Sequence, residues 1–476
     1  MPTIKELRDR ADDYRDVLRR KGADSMLEQF EQGLASYTEW TGLRSQIEQK
    51  RAEQKQLSKQ IGAYIGKEKA GTLTPDDADP RERATQLKTE IAGLEDGERE
   101  SESRLRGIEM RLPGWLADDV PDGDDEAAAV AIEYRGTPSV PPEFEDAFTA
   151  AHPSVAHTPY DVAATGGEAF AHYGLVGSLV DQETAGAVAQ SRFYYELDDL
   201  VLLDFAISML AMEFFRSRGF EQMMVTPFML RRSIEERICY IEAFEDTIFE
   251  VPDKDDQESG DLVLLPSSEH SIVAYYLDTI FRPDELPRRV TAWSPCFRRE
   301  AGARKDTRGL FRVKQFHKVE VHSIVPVGQA DAELEKLRVD VQDFLDTLDV
   351  PNRSAVIAAG DMDKRAMKQI DVETWMPAQG RYAETHSIAT LGTWVSEKAK
   401  IRVKTGEGKG AKNEPVANLY ATAVAVQRMI CAIAENHFDP ATRSIVVPDV
   451  LHKYMMGVTS IEVPDPERGT RAAARS

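Results

Sequence analysis

FRREAGARKDTRGLFRVKQFHKVE, residues 297–320, sets arginines, carboxylates and an aromatic ring at strand-like spacing around a flexible, basic loop. If the flanks are antiparallel strands, side chains two apart share a face. Arg298 and Glu300 would then stand together on one strand, and Arg312, Phe316 and Glu320 on its partner. Arginine suits phosphate binding because its planar fork grips two oxygens and its charge is permanent. A phosphate clamp, a stacking ring and two carboxylates make a nucleotide site with an adjoining place for a cationic group. An isolated Arg-Arg-Glu would read more plainly as cross-strand ion pairs on a solvated sheet, which are common and energetically minor.

The rest of the chain bounds the possibilities. At 476 residues it calls for two or three domains, and 42% hydrophobic content can bury a substantial core. A net charge of −23 argues against a protein that coats nucleic acid over its whole surface, so any such contact must come from a local basic patch. Cys239, Cys296 and Cys431 lie far apart with no CxxC spacing, as expected of buried, reduced thiols. The N-terminus is charged from its start, and the apolar run 201–215 is short and interrupted by Asp204 and Glu213. A soluble, cytoplasmic protein with no membrane partner is the expectation.

Leu27, Phe30, Leu34, Tyr37, Trp40, Leu43 and Ile47 recur at steps of three and four, and the stripe resumes at Leu57, Ile61 and Tyr64. After a break at Gly71 and Pro75, a second stripe runs through Ala84, Leu87, Ile91, Leu94, Leu105, Ile108 and Leu112. Two helices of about 40 residues, each roughly 60 Å long, would pair along this seam and project as an arm. Residues 41–70 carry Arg44, Lys50, Arg51, Lys55, Lys59, Lys67 and Lys69 against only Glu48, Glu53 and Glu68. Composition alone makes that a solvated coiled-coil surface. Residues 113–141 are acidic and rich in Pro and Gly, which reads as a linker or lead-in. Beyond about 145, helices alternate with closely spaced β-rich runs such as LVLLP, RVTAW and LFRVKQF, favouring an antiparallel α+β sheet.

The string FRxEAG, a variable loop, RGL, then RxxQFxKVE closely resembles motif 2 of class II aminoacyl-tRNA synthetases, in the form typical of seryl-tRNA synthetases. The resemblance extends along most of the chain. KRAEQKQLSKQIG is similar to that family's tRNA-binding coiled coil, which implies phosphate contacts for Arg44, Lys50, Arg51, Lys55 and Lys59. Residues 216–230, with Gly219 and Pro227, resemble motif 1, which implies a homodimer interface. LLPSSEH matches the Thr-x-Glu segment, implying amino-acid contacts for Ser267 and Glu269, although a helix cap explains those residues equally well in isolation. YAETHS implies Glu384 and Ser387 as ligands of the Mg2+ that accompanies ATP, a hard cation needing few side-chain oxygens. Residues 418–437 resemble motif 3, with Arg428 against the γ-phosphate and Thr422 sensing the serine hydroxyl.

The implied architecture is α+β. An N-terminal antiparallel two-helix coiled-coil arm (1–112) and an acidic lead-in (113–141) precede a class II catalytic domain with a central antiparallel sheet flanked by helices (142–463). A disordered tail (464–476) closes the chain. The implied reaction forms seryl-adenylate from serine and ATP, then charges tRNA-Ser. Arg298 would hold the α-phosphate, Arg312 would assist, Glu300 would read the adenine amino group, and Phe316 would stack on adenine opposite Arg428. Arg298, Glu320 and Tyr420 would also border the amino acid, Glu320 meeting its amine, and the loop 303–308 would move between ATP-bound and tRNA-bound forms. Departures concentrate in the amino-acid pocket: Tyr420 stands where the family has asparagine, and 388–398 is rewritten. Lys314 and Gln427 also replace the usual histidine and glycine. A seryl-tRNA synthetase, a paralogue using another small amino acid or feeding secondary metabolism, and an inactive tRNA-binding homologue all stay open at this point. The intact ATP residues weigh against the last.

Overall fold

The computed structural model describes residues 3–74, 77–160, 170–239, 245–252, 261–300 and 308–463. Most of the loop 303–308, the turn at Pro75 and the tail 464–476 lie outside the described residues. Pro2–Pro113 and Gly114–Ser476 form separate compact units.

The N-terminal unit starts with α1 (Ile4–Asp9), closed by a capping box between Thr3 and Glu6, and α2 (Ala11–Arg20). The long helices are α3 (Leu27–Ala70) and α4 (Arg81–Glu109). Gly71 ends α3 at φ +65°, a left-handed cap that glycine adopts without strain. Phe30, Tyr37, Ile47, Leu57, Leu87, Ile91 and Leu105 bury the seam the spacing predicts. At about 1.5–3 kcal/mol for each fully buried large side chain, their burial outweighs a helix propensity lowered by the glycines inside α3 and α4. Pro113 receives a 2.8 Å hydrogen bond from the buried Tyr14 hydroxyl, which ties the end of the hairpin to α2.

The C-terminal unit is built on eight strands: β1 (Val130–Arg135), β2 (Glu221–Met224), β3 (Arg288–Phe297), β4 (Gln315–Val325), β5 (Asn352–Val356), β6 (Lys368–Met376), β7 (Arg381–Thr390) and β8 (Ala417–Ala425). Their order is β1-β5-β6-β7-β8-β4-β3-β2, antiparallel throughout except for the parallel edge pair β2–β3. Alternation gives the sheet two unlike faces. Val319, Val321, Ile370, Val372, Ile388, Leu419 and Ala421 pack with α5 (Asp199–Ser217), α7 (Ala330–Thr347) and α8 (Val426–Asn436). The intervening positions put Lys318, Glu320, His322, Asp371, Asn418, Tyr420 and Thr422, all buried, on the opposite face. So many ionisable groups under cover mark that face as the functional one.

Three expectations need correcting. The acidic segment 113–141 is no free connector: Gly114 and Ala117 donate backbone hydrogen bonds to Lys364 and Met367, and its residues 130–135 supply the edge strand β1. LFRVKQF is mostly not strand, since β4 begins at Gln315. β3 likewise ends at Phe297, so Arg298 and Glu300 do not alternate on a strand; Glu300 adopts a left-handed φ of +47°. No helix among the described residues is long and apolar enough to cross a membrane, and all three cysteines are buried and unpaired.

Candidate active site

β3 and β4 carry the 297–320 string to the mouth of a cleft of about 550 Å³, counted to its open entrance. Arg298, Glu300, Arg312, Phe316, Glu384, Thr422 and Arg428, seven of the residues singled out by sequence, line it together with Phe311 and Lys318. Arg298 lies over the Phe316 ring, its guanidinium carbon 5.4 Å from the centroid, and its Nε donates to the Pro266 carbonyl at 3.2 Å. Arg312 pairs with Glu300 at 2.9 Å, and its Nε has no partner among the described residues. Arg428, in the first turn of α8, lies 5.0 Å over the Phe311 ring, donates to the Glu384 carbonyl at 2.8 Å and reaches the Glu384 carboxylate at 3.3 Å. The Glu384 side chain is half-exposed at the cleft; the partial desolvation that would raise its carboxyl is outweighed by Arg428, Arg298 and Arg312, which hold it below the usual range.

Glu384 and Ser387 are three residues apart, a spacing that puts side chains on opposite faces of a regular strand. The ladder shows how they come to one side. Val372 opposes His386 while Glu373 opposes Glu384, so Thr385 is an extra residue and the alternation resets. Asp371, paired with Ser387 in register and hydrogen-bonded to it, is pushed well up by burial and by the Glu384 charge. The result is a set of oxygen donors with no nitrogen or sulfur. A second bulge, at Ala423, lets Glu320 face Thr422 directly and His322 face Tyr420.

Beneath the cleft, Lys318 pairs with the fully buried Glu320, whose carboxyl is raised by burial. Ser267 is the N-cap of α6 (Ser268–Tyr275), its hydroxyl accepting from the Glu269 amide at 3.2 Å. Glu269, in the first turn, is buried and gripped by Arg365 at 3.1 and 3.2 Å. Burial opposes ionisation there, but Arg365 wins and keeps Glu269 below its ordinary value. Glu269, Glu320, Tyr420, Ser267 and Ser387 are not among the residues that line the cleft.

Sequence reasoning missed Phe311, Asp363, Arg365 and Asp371. Phe311 precedes Arg312 inside the quoted string, so its position was a usable signal. Asp363 and Arg365 sit in AAGDMDKRAMK, where charge reads as solvated loop. Gly309 is a further requirement of the 297–320 string. At φ +62° it sits where a Cβ would come within 3.0 Å of the His172 ring.

Behind the cleft, Gln427 ties three elements together. Its amide donates to Asp204 at 2.6 Å and Glu196 at 3.1 Å, and its carbonyl accepts from the His317 backbone at 2.7 Å. Burial and the Asp204 charge push Glu196 up to about 7. The folded chain therefore holds this proton more tightly than the unfolded one. The contribution of Glu196 to stability should fall as pH rises from about 4.5 to about 7 and be flat on either side. Glu196→Gln removes that slope: melting at pH 8 should rise by the equivalent of roughly 1–3 kcal/mol, and melting near pH 4 should hardly change. Equal shifts at both pH values in thermal scans would exclude the titration.

A strand–loop–strand presenting arginines over an antiparallel sheet, completed by an arginine at the start of the next helix, is the arrangement of a class II synthetase core. Residues 248–437 match the family model of the tRNA synthetase class II core domain (G, H, P, S and T), and residues 1–115 match the seryl-tRNA synthetase N-terminal domain. The chain is 32% identical over 457 residues to the serine–tRNA ligase of Hyperthermus butylicus, covering 95% of each. It is 34% identical to that of Streptomyces coelicolor, covering 97% of this chain and 99% of the relative. This chain belongs to the seryl-tRNA synthetase family. The crystal structure of seryl-tRNA synthetase from Pyrococcus horikoshii complexed with ATP superposes with a TM-score of 0.89, at 29% identity, over 98% of this chain and 100% of that one.

Proposed function

We propose that this chain activates serine with ATP and transfers it to the 3′ end of tRNA-Ser. The observation that carries the reading is the convergence of Arg298, Arg312 and Arg428 with Phe316 in one cleft, whose lining also includes Thr422, the strand partner of Glu320. In the first step a serine carboxylate oxygen bonds to the α-phosphorus of ATP and the α–β bridge breaks, releasing pyrophosphate. In the second, the terminal ribose hydroxyl bonds to the acyl carbon, its proton is lost, and AMP leaves. Both steps need orientation and charge neutralisation more than covalent help. Arg298 holds the α-phosphate and Arg428 the γ-phosphate, with Arg312 assisting. Glu300 reads the adenine amino group, and Phe316 stacks on the ring. Glu320 and Glu269 accept from the serine ammonium, and Thr422 meets its hydroxyl. Ser267 acts by capping the helix that carries Glu269.

The oxygen-only set of Glu384 and Ser387 fits Mg2+, which when bound spreads the charge of the ATP phosphates. The side chains present the ligands: the bulge at Thr385 puts both on one side, and three arginines keep Glu384 ionised.

On the arm, Arg44, Lys50 and Arg51 form ion pairs across the seam with Glu98, Glu90 and Glu95. Lys55 and Lys59, one helical turn apart, are exposed and carry no ion pair among the described residues. They are the better placed to meet tRNA phosphates, with the other three contributing when their partners yield.

α5 and β2 leave Phe205 and Met209 at 55% exposure and Met224 at 69%, in an apolar groove completed by Met212, Met223 and Trp293. Continuity with a sheet-edge strand fits this face to a second copy of the chain. Met209→Asp should convert a dimer to a monomer in light scattering; a dimer that persists would move the interface elsewhere.

Amino-acid-dependent ATP–pyrophosphate exchange, run with each standard amino acid, tests the reading. Exchange with serine, followed by charging of tRNA-Ser, is the expected result. Exchange only with another small amino acid would favour a repurposed paralogue, the reading to which Tyr420 lends weight. Exchange with none would overturn the assignment.

A further inference from the structure

Arg365 is 2% exposed, and each of its five N–H donors has a partner. Nε donates to Asp363, at 3.2 Å to Oδ1 and 3.1 Å to Oδ2. Nη1 donates to the Ile238 carbonyl at 3.1 Å and to Glu269 Oε1 at 3.1 Å. Nη2 donates to Glu269 Oε2 at 3.2 Å and to Asp363 Oδ2 at 2.7 Å. Asp363 Oδ2 also accepts from the Tyr420 hydroxyl at 3.4 Å, and the Arg365 guanidinium lies 5.9 Å from the Tyr420 centroid. One buried chain of contacts thus runs Glu269–Arg365–Asp363–Tyr420. It borders the substrate side of the sheet, because Tyr420 lies two residues from Thr422 on β8 and opposite His322, two residues from Glu320 on β4.

We propose that Arg365 is a specificity-determining positioning residue for the amino acid, and that it acts through both ends of this chain. At one end it fixes both oxygens of Glu269, leaving their remaining lone pairs for the substrate ammonium. At the other, through Asp363, it anchors Tyr420 as a rigid wall beside the Glu320–Thr422 pair. Two consequences define the substrate class. An anchored phenol ring where a short polar side chain would leave space admits only a small side chain, of the size of a hydroxymethyl group or less. Arg365 has no donor to spare, so an acidic side chain finds no cationic receptor there and would meet Glu269 and Asp363 instead. The site selects a small, uncharged amino acid by size. This deepens the serine-activation reading and rests on it.

The test is pyrophosphate exchange with serine, alanine, threonine and aspartate, measured for the full-length wild type, Arg365→Lys, Tyr420→Phe and Tyr420→Ala, with KM and kcat determined separately. Lysine keeps the charge but cannot hold two carboxylates in a fork. Arg365→Lys should therefore raise the serine KM about tenfold or more, with the ATP KM unchanged. Tyr420→Ala should raise the threonine-to-serine ratio of kcat/KM by about tenfold or more, since the excess bulk is one methyl group. Tyr420→Phe removes a single hydroxyl, keeps the ring and folds whatever becomes of Arg365→Lys. It should raise the threonine-to-serine ratio a few-fold by freeing the wall. Unmoved serine KM and unmoved ratios in variants of an active, serine-using wild type would overturn this inference alone. Wild-type exchange with aspartate would overturn it too. Wild type inactive with every small amino acid would overturn both the inference and the function it rests on.

Discussion

Arg298→Ala loses serine-dependent pyrophosphate exchange by about 10²–10³-fold, while its melting temperature moves by only a few degrees. The two halves of this expectation have different causes. Arg298 lines the cleft beside Phe316, and among the described residues its side chain makes one hydrogen bond, to the Pro266 carbonyl at 3.2 Å, while its backbone bond to Lys314 survives the substitution. Losing one such bond costs about 1 kcal/mol. Its place in the reaction is to neutralise charge that develops at the α-phosphate, in a site where Arg312 is paired with Glu300 and Arg428 with Glu384. Neither neighbour can swing across without uncovering its own carboxylate. Exchange rates and a thermal scan on the same preparation settle the matter, and wild-type exchange would remove Arg298 from the mechanism.

Deleting the outer arm, about residues 55–85, should leave pyrophosphate exchange within about twofold and reduce tRNA charging by about 10²-fold or more. Packing separates the two effects. Pro2–Pro113 is a compact unit in its own right, and the deleted stretch belongs to a local cluster of Leu57, Leu87 and Ile91, with Ile61 and Ala84 against it. No residue of the cleft is among these, so adenylation has no physical reason to change. Lys55 and Lys59 go with the tip, and each phosphate left without its lysine should flatten the salt dependence of tRNA binding by roughly one unit on a log–log plot. Charging and exchange measured side by side, with a salt titration of tRNA affinity, check this. A tip-deleted protein that charged tRNA normally would make the arm purely structural.

Much of this was readable from residue order, for reasons that differ by element. Helix α3 announces itself through a period that only one secondary structure satisfies, and Gly71 stops it where the left-handed cap is needed. The residues of the cleft were readable because the 297–320 string keeps chemically demanding groups close together. The actual geometry of that string was less legible. Strand spacing suggested that Arg298 and Glu300 share a face by alternation, whereas both reach the cleft beyond the end of β3, with Glu300 at φ +47°. Such conformations persist where surrounding contacts over-determine them, and Arg192 holding the Glu300 carbonyl at 2.7 Å is one of those contacts. The buried pair of Arg365 and Glu269 was not legible at all. The two residues are 96 positions apart, and a lone arginine in a loop carries no sign that it will be buried. Long-range ion pairs of this kind depend on tertiary placement, which no local pattern encodes.

The bulge at Thr385 has an implication for how this strand can change over time. Glu384 and Ser387 share a side only because one residue more than the ladder requires stands between Glu384 and His386. The identity of Thr385 is therefore less constrained than its existence. Replacement keeps the phase of the strand, whereas losing or gaining one residue would send Ser387 and everything after it to the wrong side of the sheet. Divergence at this spot should run through exchange of side chains at constant length, leaving the reading frame of the fold untouched while chemistry on either side drifts.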